Sequence, residues 1–151
     1  MDKVDIKGFF LLGISVRTTN ANGQSAKDIG ELWGRFMEND IMQQITNRIN
    51  DEVYCVYTDY ESDQGGFYTT VLGCRVKNLD NIPVGLIGRI VTPGGYLKYT
   101  AKGRLPDCVA ETWQHIWNST IDRKYTADFD LYGAKAQDPE DAEVEVYVGV
   151  K

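Results

Sequence analysis

Glu31-Leu32-Trp33, followed by Phe36, returns later in the chain as Glu111-Thr112-Trp113, followed by Ile116. Each copy sits in a stretch with helical periodicity. Ile29, Leu32, Trp33, Phe36 and Met37 make one apolar stripe, and Val109, Trp113, Ile116 and Trp117 make another. Ahead of the first stripe, Ser25-Ala26-Lys27-Asp28 resembles an acidic capping box. Pro106 stands where the second helix should start. Before the first helix, Lys7–Asn20 reads as a strand with both faces largely apolar, hence covered on two sides. After it come strands over Glu52–Tyr60 and Phe67–Val76, separated by the turn residues Glu61-Ser62-Asp63-Gln64-Gly65-Gly66. The second helix is framed likewise. A long strand over Gly85–Thr100, bent at Pro93-Gly94-Gly95, precedes it, and strands over Asp128–Tyr132 and Glu143–Val150 follow.

The chain therefore spells strand, helix, strand, strand twice, an α+β fold of duplicated units with a pseudo-two-fold and a central ligand cleft where the halves meet. Tyr57 and Tyr132 hold similar places in the two hairpins. The first repeat covers about 5–77 and the second about 83–151, joined by Asn78–Pro83. That connector is short enough that a single domain over 1–151 is expected.

Composition narrows the function. Of 151 residues, 42% are hydrophobic and 25% charged, the balance of a globular protein rather than a disordered one. Lys and Arg number 16 against 22 Asp and Glu, a net charge of -6. That disfavours the clustered basic surface that phosphate backbones require, so no direct nucleic-acid contact is expected. The apolar run Phe9–Ile14 is too short to span a membrane and lacks the layout of a signal peptide. No membrane association and a cytoplasmic location are the expectations. Cys55, Cys74 and Cys108 form no CxxC pair and read as reduced, buried thiols. His115 is the only histidine and reads as exposed, so no metal site is expected. Nucleophile-elbow and phosphate-loop motifs are missing, and no cofactor is implied. Nine tyrosines and three tryptophans outnumber five phenylalanines. Such polar-tipped rings suit a binding cavity.

Alternation in the last hairpin sets Val144, Val146, Val148 and Val150 against Glu143, Glu145, Tyr147 and Gly149. Its partner strand sets Phe129 and Leu131 against Asp128, Asp130 and Tyr132. The carboxylate faces are either solvated sheet or the floor of a cavity in which acids and rings meet a cation. Tyr57 and Tyr68 suit cross-strand pairing, pocket lining, or both. Trp33, Trp113 and Trp117 read first as core, with an edge of Trp113 or Trp117 able to reach a crevice between the helices.

The run Tyr57-Thr58-Asp59-Tyr60-Glu61-Ser62-Asp63-Gln64-Gly65-Gly66-Phe67-Tyr68 resembles the central hairpin of GyrI-like effector-binding domains. Those are the ligand-sensing halves of AraC-type and MerR-type multidrug-responsive activators. Ile82-Pro83-Val84-Gly85, Pro93–Gly103, Trp113–Trp117, Ala127–Tyr132 and Val144–Val148 extend the likeness over nearly the whole chain. The standalone form is similar to integron-cassette proteins that bind cationic drugs. The resemblance implies small hydrophobic cations as ligands, with Asp130 and Tyr132, then Glu145 and Tyr147, as contacts. Asp130 stands where the pattern usually has Glu, and Tyr147-Val148-Gly149 replaces the usual Tyr-x-Pro. Tyr57, Tyr68, Trp113 and Trp117 complete the expected ligand set.

The match begins within the first ten residues, which leads to the expectation of a module without its own DNA-binding domain, open to a separate protein partner. An effector-binding module is favoured over an enzyme. The resemblance leaves two alternatives: a GyrI-like hydrolase of strained-ring electrophiles with Glu145 as its catalytic acid or base, or a protein-binding inhibitor of the gyrase-inhibitor type.

Overall fold

A computed structural model describes residues 2–151. The first unit runs through β1 (Asp2–Ile6), β2 (Phe9–Thr19), α1 (Gln24–Glu38), a single turn α2 (Ile41–Gln44), β3 (Val53–Thr58) and β4 (Phe67–Val76). The second runs through β5 (Ile87–Val91), β6 (Gly94–Gly103), α3 (Asp107–Trp117), β7 (Arg123–Tyr132) and β8 (Ala142–Val150). All eight strands join one antiparallel sheet in the order β1-β6-β8-β7-β3-β4-β2-β5. Outward from the centre the order is β7, β8, β6 on one side and β3, β4, β2 on the other. The pseudo-two-fold is thus visible in the topology.

The two outermost strands belong to the opposite units. Asp2 faces Lys98 and Ile6 faces Gly94, while Phe9 faces Val91 and Gly13 faces Ile87. One register therefore continues across the break at Lys7-Gly8 and Thr92-Pro93. Proline has no backbone N–H to give a ladder, which splits the long strand expected over Gly85–Thr100 into β5 and β6. Because β1 leads directly into β2 and β5 into β6, the sheet curls until its ends share these long strands.

Three apolar clusters hold the fold. Leu32 and Phe36 of α1 pack with Leu12, Ile14, Leu72 and Cys74, and Cys108, Val109, Trp113 and Ile116 of α3 pack on Val144, Val146 and Val148. On the far face of the sheet, Phe9, Leu11, Tyr54, Val56, Val71 and Phe129 close against one another. This is why β2 and β4 carry apolar residues on both sides. All three cysteines are buried free thiols. No helix among the described residues is long and apolar enough to cross a membrane.

Two local expectations are corrected. Helix α1 begins at Gln24 behind Gly23, at φ 70°, and has no side-chain cap. Asp28 is instead drawn back to the sheet, accepting from Thr18 Oγ1 at 2.9 Å and Gln24 Nε2 at 3.1 Å. Strand β7 begins five residues before Asp128, at Arg123, and bulges before Asp128, with Tyr125 at φ 55°. That irregularity hides the alternation a strand should show.

Gly13 and Gly73 face one another between β2 and β4. A Cβ at either would overlap a backbone carbonyl of the neighbouring strand. Gly13→Ala should therefore lower stability by about 1–3 kcal/mol, the usual cost of overpacking. Gly34→Ala, on α1 with nothing near its missing Cβ, should raise stability by about 0.8–1 kcal/mol. Urea unfolding compares the two, and an unchanged midpoint for Gly13→Ala would contradict the close crossing.

Candidate functional site

Helices α1 and α3 lie on the same face of the sheet, and a cavity of about 460 Å³ opens between them. That size is within the ~300–1,000 Å³ range of drug-sized ligand sites. Ile29 and Trp33 of α1 form one wall, Val109, Trp113 and Trp117 of α3 the other, and Tyr57, Tyr68 and Tyr132 rise from the sheet between them. The units interlock through their rings. Trp33 stands edge-on to Tyr132 at 4.8 Å, and Trp113 stands edge-on to Tyr57 at 5.4 Å, so each helix's tryptophan packs on the other unit's tyrosine. Tyr57 also meets Tyr68 at 6.0 Å, and Trp113 meets Trp117 at 6.5 Å.

Beneath these rings Asp130 is wholly buried. Its Oδ2 accepts from the Tyr57 hydroxyl at 2.5 Å and its Oδ1 from the Trp113 indole N–H at 2.9 Å. Both donors are neutral. Burial, outweighing those two hydrogen bonds, raises the Asp130 pKa from 3.8 to about 7. Burial, then the nearby Asp130 charge, holds the Tyr57 phenol well above its ordinary range, so it remains a donor.

Two residues earlier on the same face, Asp128 is equally buried but fully partnered. It accepts from Arg123 Nη2 at 2.7 Å, from the Gly149 N–H at 2.8 Å and from the Tyr60 hydroxyl. Arg123 closes one end of the cavity, its guanidinium 5.5 Å from the Trp113 ring centre and 4.4 Å from that of Tyr125. Gln64 bridges the same end, its side chain accepting from Arg123 at 3.3 Å and its carbonyl from Asn20 at 3.1 Å.

Of the residues expected at the site, Tyr57, Tyr68, Tyr132, Trp113 and Trp117 line the cavity, and Asp130 lies directly behind two of them. Glu145 and Tyr147 are elsewhere. Pairing sets Asp130 opposite Val146 and Leu131 opposite Glu145, and residues opposed in a ladder share a face. Glu145 therefore projects with Leu131 from the far face, where Tyr147 stacks on Phe129 at 4.6 Å. Glu145 bonds Lys98 at 2.6 Å and Tyr147 at 3.0 Å. Partial burial alone would raise its pKa, but those hydrogen bonds and the Lys98 charge bring it below the ordinary range. It stands on the far face of the sheet, away from the cavity between the helices. Sequence alternation separates the faces of the last two strands from Asp128 onward but does not say which faces coincide.

Trp33, Tyr60 and Arg123 belong to the site and were not expected there. Tyr60 should follow Tyr54 and Val56 to the far face, but Asp59 at φ 51° breaks the alternation and turns it toward the cavity. His115 lines a more open groove of about 660 Å³ on the outer flank of α3, among side chains of mixed charge.

Comparison with known proteins agrees with this architecture. YobU of Bacillus subtilis (strain 168), named for transcriptional regulation, is 31% identical over 156 residues, spanning 98% of this chain and 94% of YobU. An integron cassette protein from the mobile metagenome of Vibrio cholerae superposes with a TM-score of 0.78 at 28% identity, covering 99% of this chain and 95% of that one. SAV2435, solved bound to tetraphenylphosphonium, superposes with a TM-score of 0.81 at 16% identity over 99% and 93% of the two chains, a likeness of fold. Residues 4–150 match the family described as integron-associated effector binding protein. Matched over that length, the chain is a member of the integron-associated effector-binding family.

Proposed function

We propose that the protein binds lipophilic, aromatic monocations in the cavity between α1 and α3. One observation carries this reading: Asp130 is a buried carboxylate with no basic partner among the described residues, bonded to two rings that line a largely apolar hollow. An uncompensated charge in such a place is costly, and a cation entering the cavity supplies what is missing. Across one aromatic ring, at about 6–7 Å and an effective dielectric of ~20, the attraction amounts to roughly 2–3 kcal/mol. Each ring face adds about 0.5–2 kcal/mol. Hydrogen bonds given to a carboxylate leave Tyr57 and Trp113 richer in electrons, which favours a cation on their faces. The ligand of SAV2435, a tetraaryl monocation, supplies a probe of the right class.

In calorimetric titrations, Asp130→Asn should weaken tetraphenylphosphonium binding about tenfold or more, corresponding to at least ~1.4 kcal/mol. Binding of neutral triphenylphosphine oxide should change by less than about twofold, and Glu145→Gln should leave both ligands alone. Equal losses for cation and neutral compound would count against charge recognition. Cation affinity should also rise with pH and level off above about 7, as Asp130 gives up its proton.

The empty protein should show the cost of this arrangement. In the unfolded chain Asp130 titrates near 3.8, in the fold near 7. Between those values the folded form binds the extra proton, so Asp130's contribution to stability is complete at low pH and is lost as pH rises through about 7. Asp130→Asn should thus gain on wild type in melting temperature across that window. A difference that stayed constant with pH would contradict the raised pKa.

A further inference from the structure

Asp128 and Asp130 stand two residues apart on one face of β7, both sealed from water, yet the protein supplies a cation to only one of them. The Arg123 side chain is 4% exposed, paired to Asp128 at 2.7 Å, and lies against the ring of Trp113 whose N–H holds Asp130. A guanidinium over Trp113 already occupies the kind of place that a second ligand cation would take. From inside the cavity, Arg123 and Asp128 largely cancel, and Asp130 leaves a single negative charge to be met. A ligand carrying one positive charge completes the balance. One that places two positive charges inside the cavity leaves an excess beside Arg123 in surroundings of low dielectric.

We infer that Arg123 is the residue that sets the charge number of the ligand: a built-in cation that restricts the cavity to monocations and excludes compact dications. This rests on the cation-binding reading above and specifies it. Arg123 acts here as a selectivity element, and Asp128 is the carboxylate it keeps from the ligand. The buried Nε of Arg123 has no hydrogen-bond partner among the described residues. Its position is therefore fixed by the Asp128 contact, the Gln64 hydrogen bond and ring stacking, and losing Asp128 removes its one ionic anchor among the described residues.

The test uses para-bis(trimethylammoniomethyl)benzene and its monocationic isostere, in which one nitrogen is replaced by carbon, titrated calorimetrically into the intact protein. Wild type should prefer the monocation by roughly tenfold or more, the scale of one uncompensated charge in a partly dry site. Arg123→Met, similar in length but neutral, frees Asp128 and should erase or invert that preference by tightening the dication. Arg123→Lys keeps the charge and should keep the preference. The double variant Arg123→Met/Asp128→Asn leaves no unpaired charge at this end and should also retain the wild-type preference, even where the single variant folds poorly. A gain for the dication in the double variant would show that Arg123 acts by its bulk or by direct repulsion rather than by cancelling Asp128, and would overturn the inference. So would a wild type that takes both compounds equally, or an Arg123→Met protein with an unchanged ratio. A monocation that fails to bind wild type at all overturns the cation reading itself, and this inference with it.

Discussion

A carboxylate removed from water must find a counter-charge, give up its charge, or destabilise the fold around it. Asp130 has the first option closed among the described residues, where its only side-chain partners are the hydroxyl of Tyr57 and the indole of Trp113. Its proton is consequently held to about pH 7. Asp128, equally buried on the same strand, takes Arg123. The contrast between these neighbours organises the cavity: the carboxylate at one end is neutralised by an arginine, and the one at the centre is held by neutral donors.

Duplication explains why that centre exists. Tyr57 and Tyr132 hold matching places in the two units. Two residues before them come Cys55 and Asp130, which face one another across the β3–β7 ladder at the middle of the sheet. The pseudo-two-fold passes between this thiol and this carboxylate. Trp33 and Trp113 arrive from opposite sides, each resting on a tyrosine of the other unit. A symmetric pair of helices on one sheet leaves a furrow along the axis, and here aromatic rings line it. Symmetry makes the hollow; the departure from symmetry at Asp130 places a carboxylate beneath it, where the other unit has a thiol.

Much of this could be read from the chain alone, for physical reasons that also mark where reading failed. Helical spacing around Trp33 and Trp113, and alternation in β8, are local patterns imposed by burial on one side. They revealed the duplicated α+β architecture and put Tyr57, Tyr68, Tyr132, Trp113 and Trp117 in view. Glu145 was misplaced because alternation is a property of one strand, whereas sharing a face depends on register with the next. Val146, not Glu145, lies opposite Asp130. Tyr60 was missed because one left-handed residue, Asp59, reverses the direction of everything after it. Arg123 was missed because the bulge before Asp128 removes the periodicity that would have extended β7 back to it. The one available signal was an arginine five residues ahead of an aspartate on an apolar-flanked strand.

The most direct measurement follows the Asp130 carboxyl carbon by carbon-13 NMR during a pH titration, with and without tetraphenylphosphonium, using Asp130→Asn to assign the resonance. The account predicts a midpoint near 7 in the empty protein and a clear downward displacement once the cation is bound. A midpoint at the ordinary aspartate value, or one that the cation leaves unmoved, would contradict it.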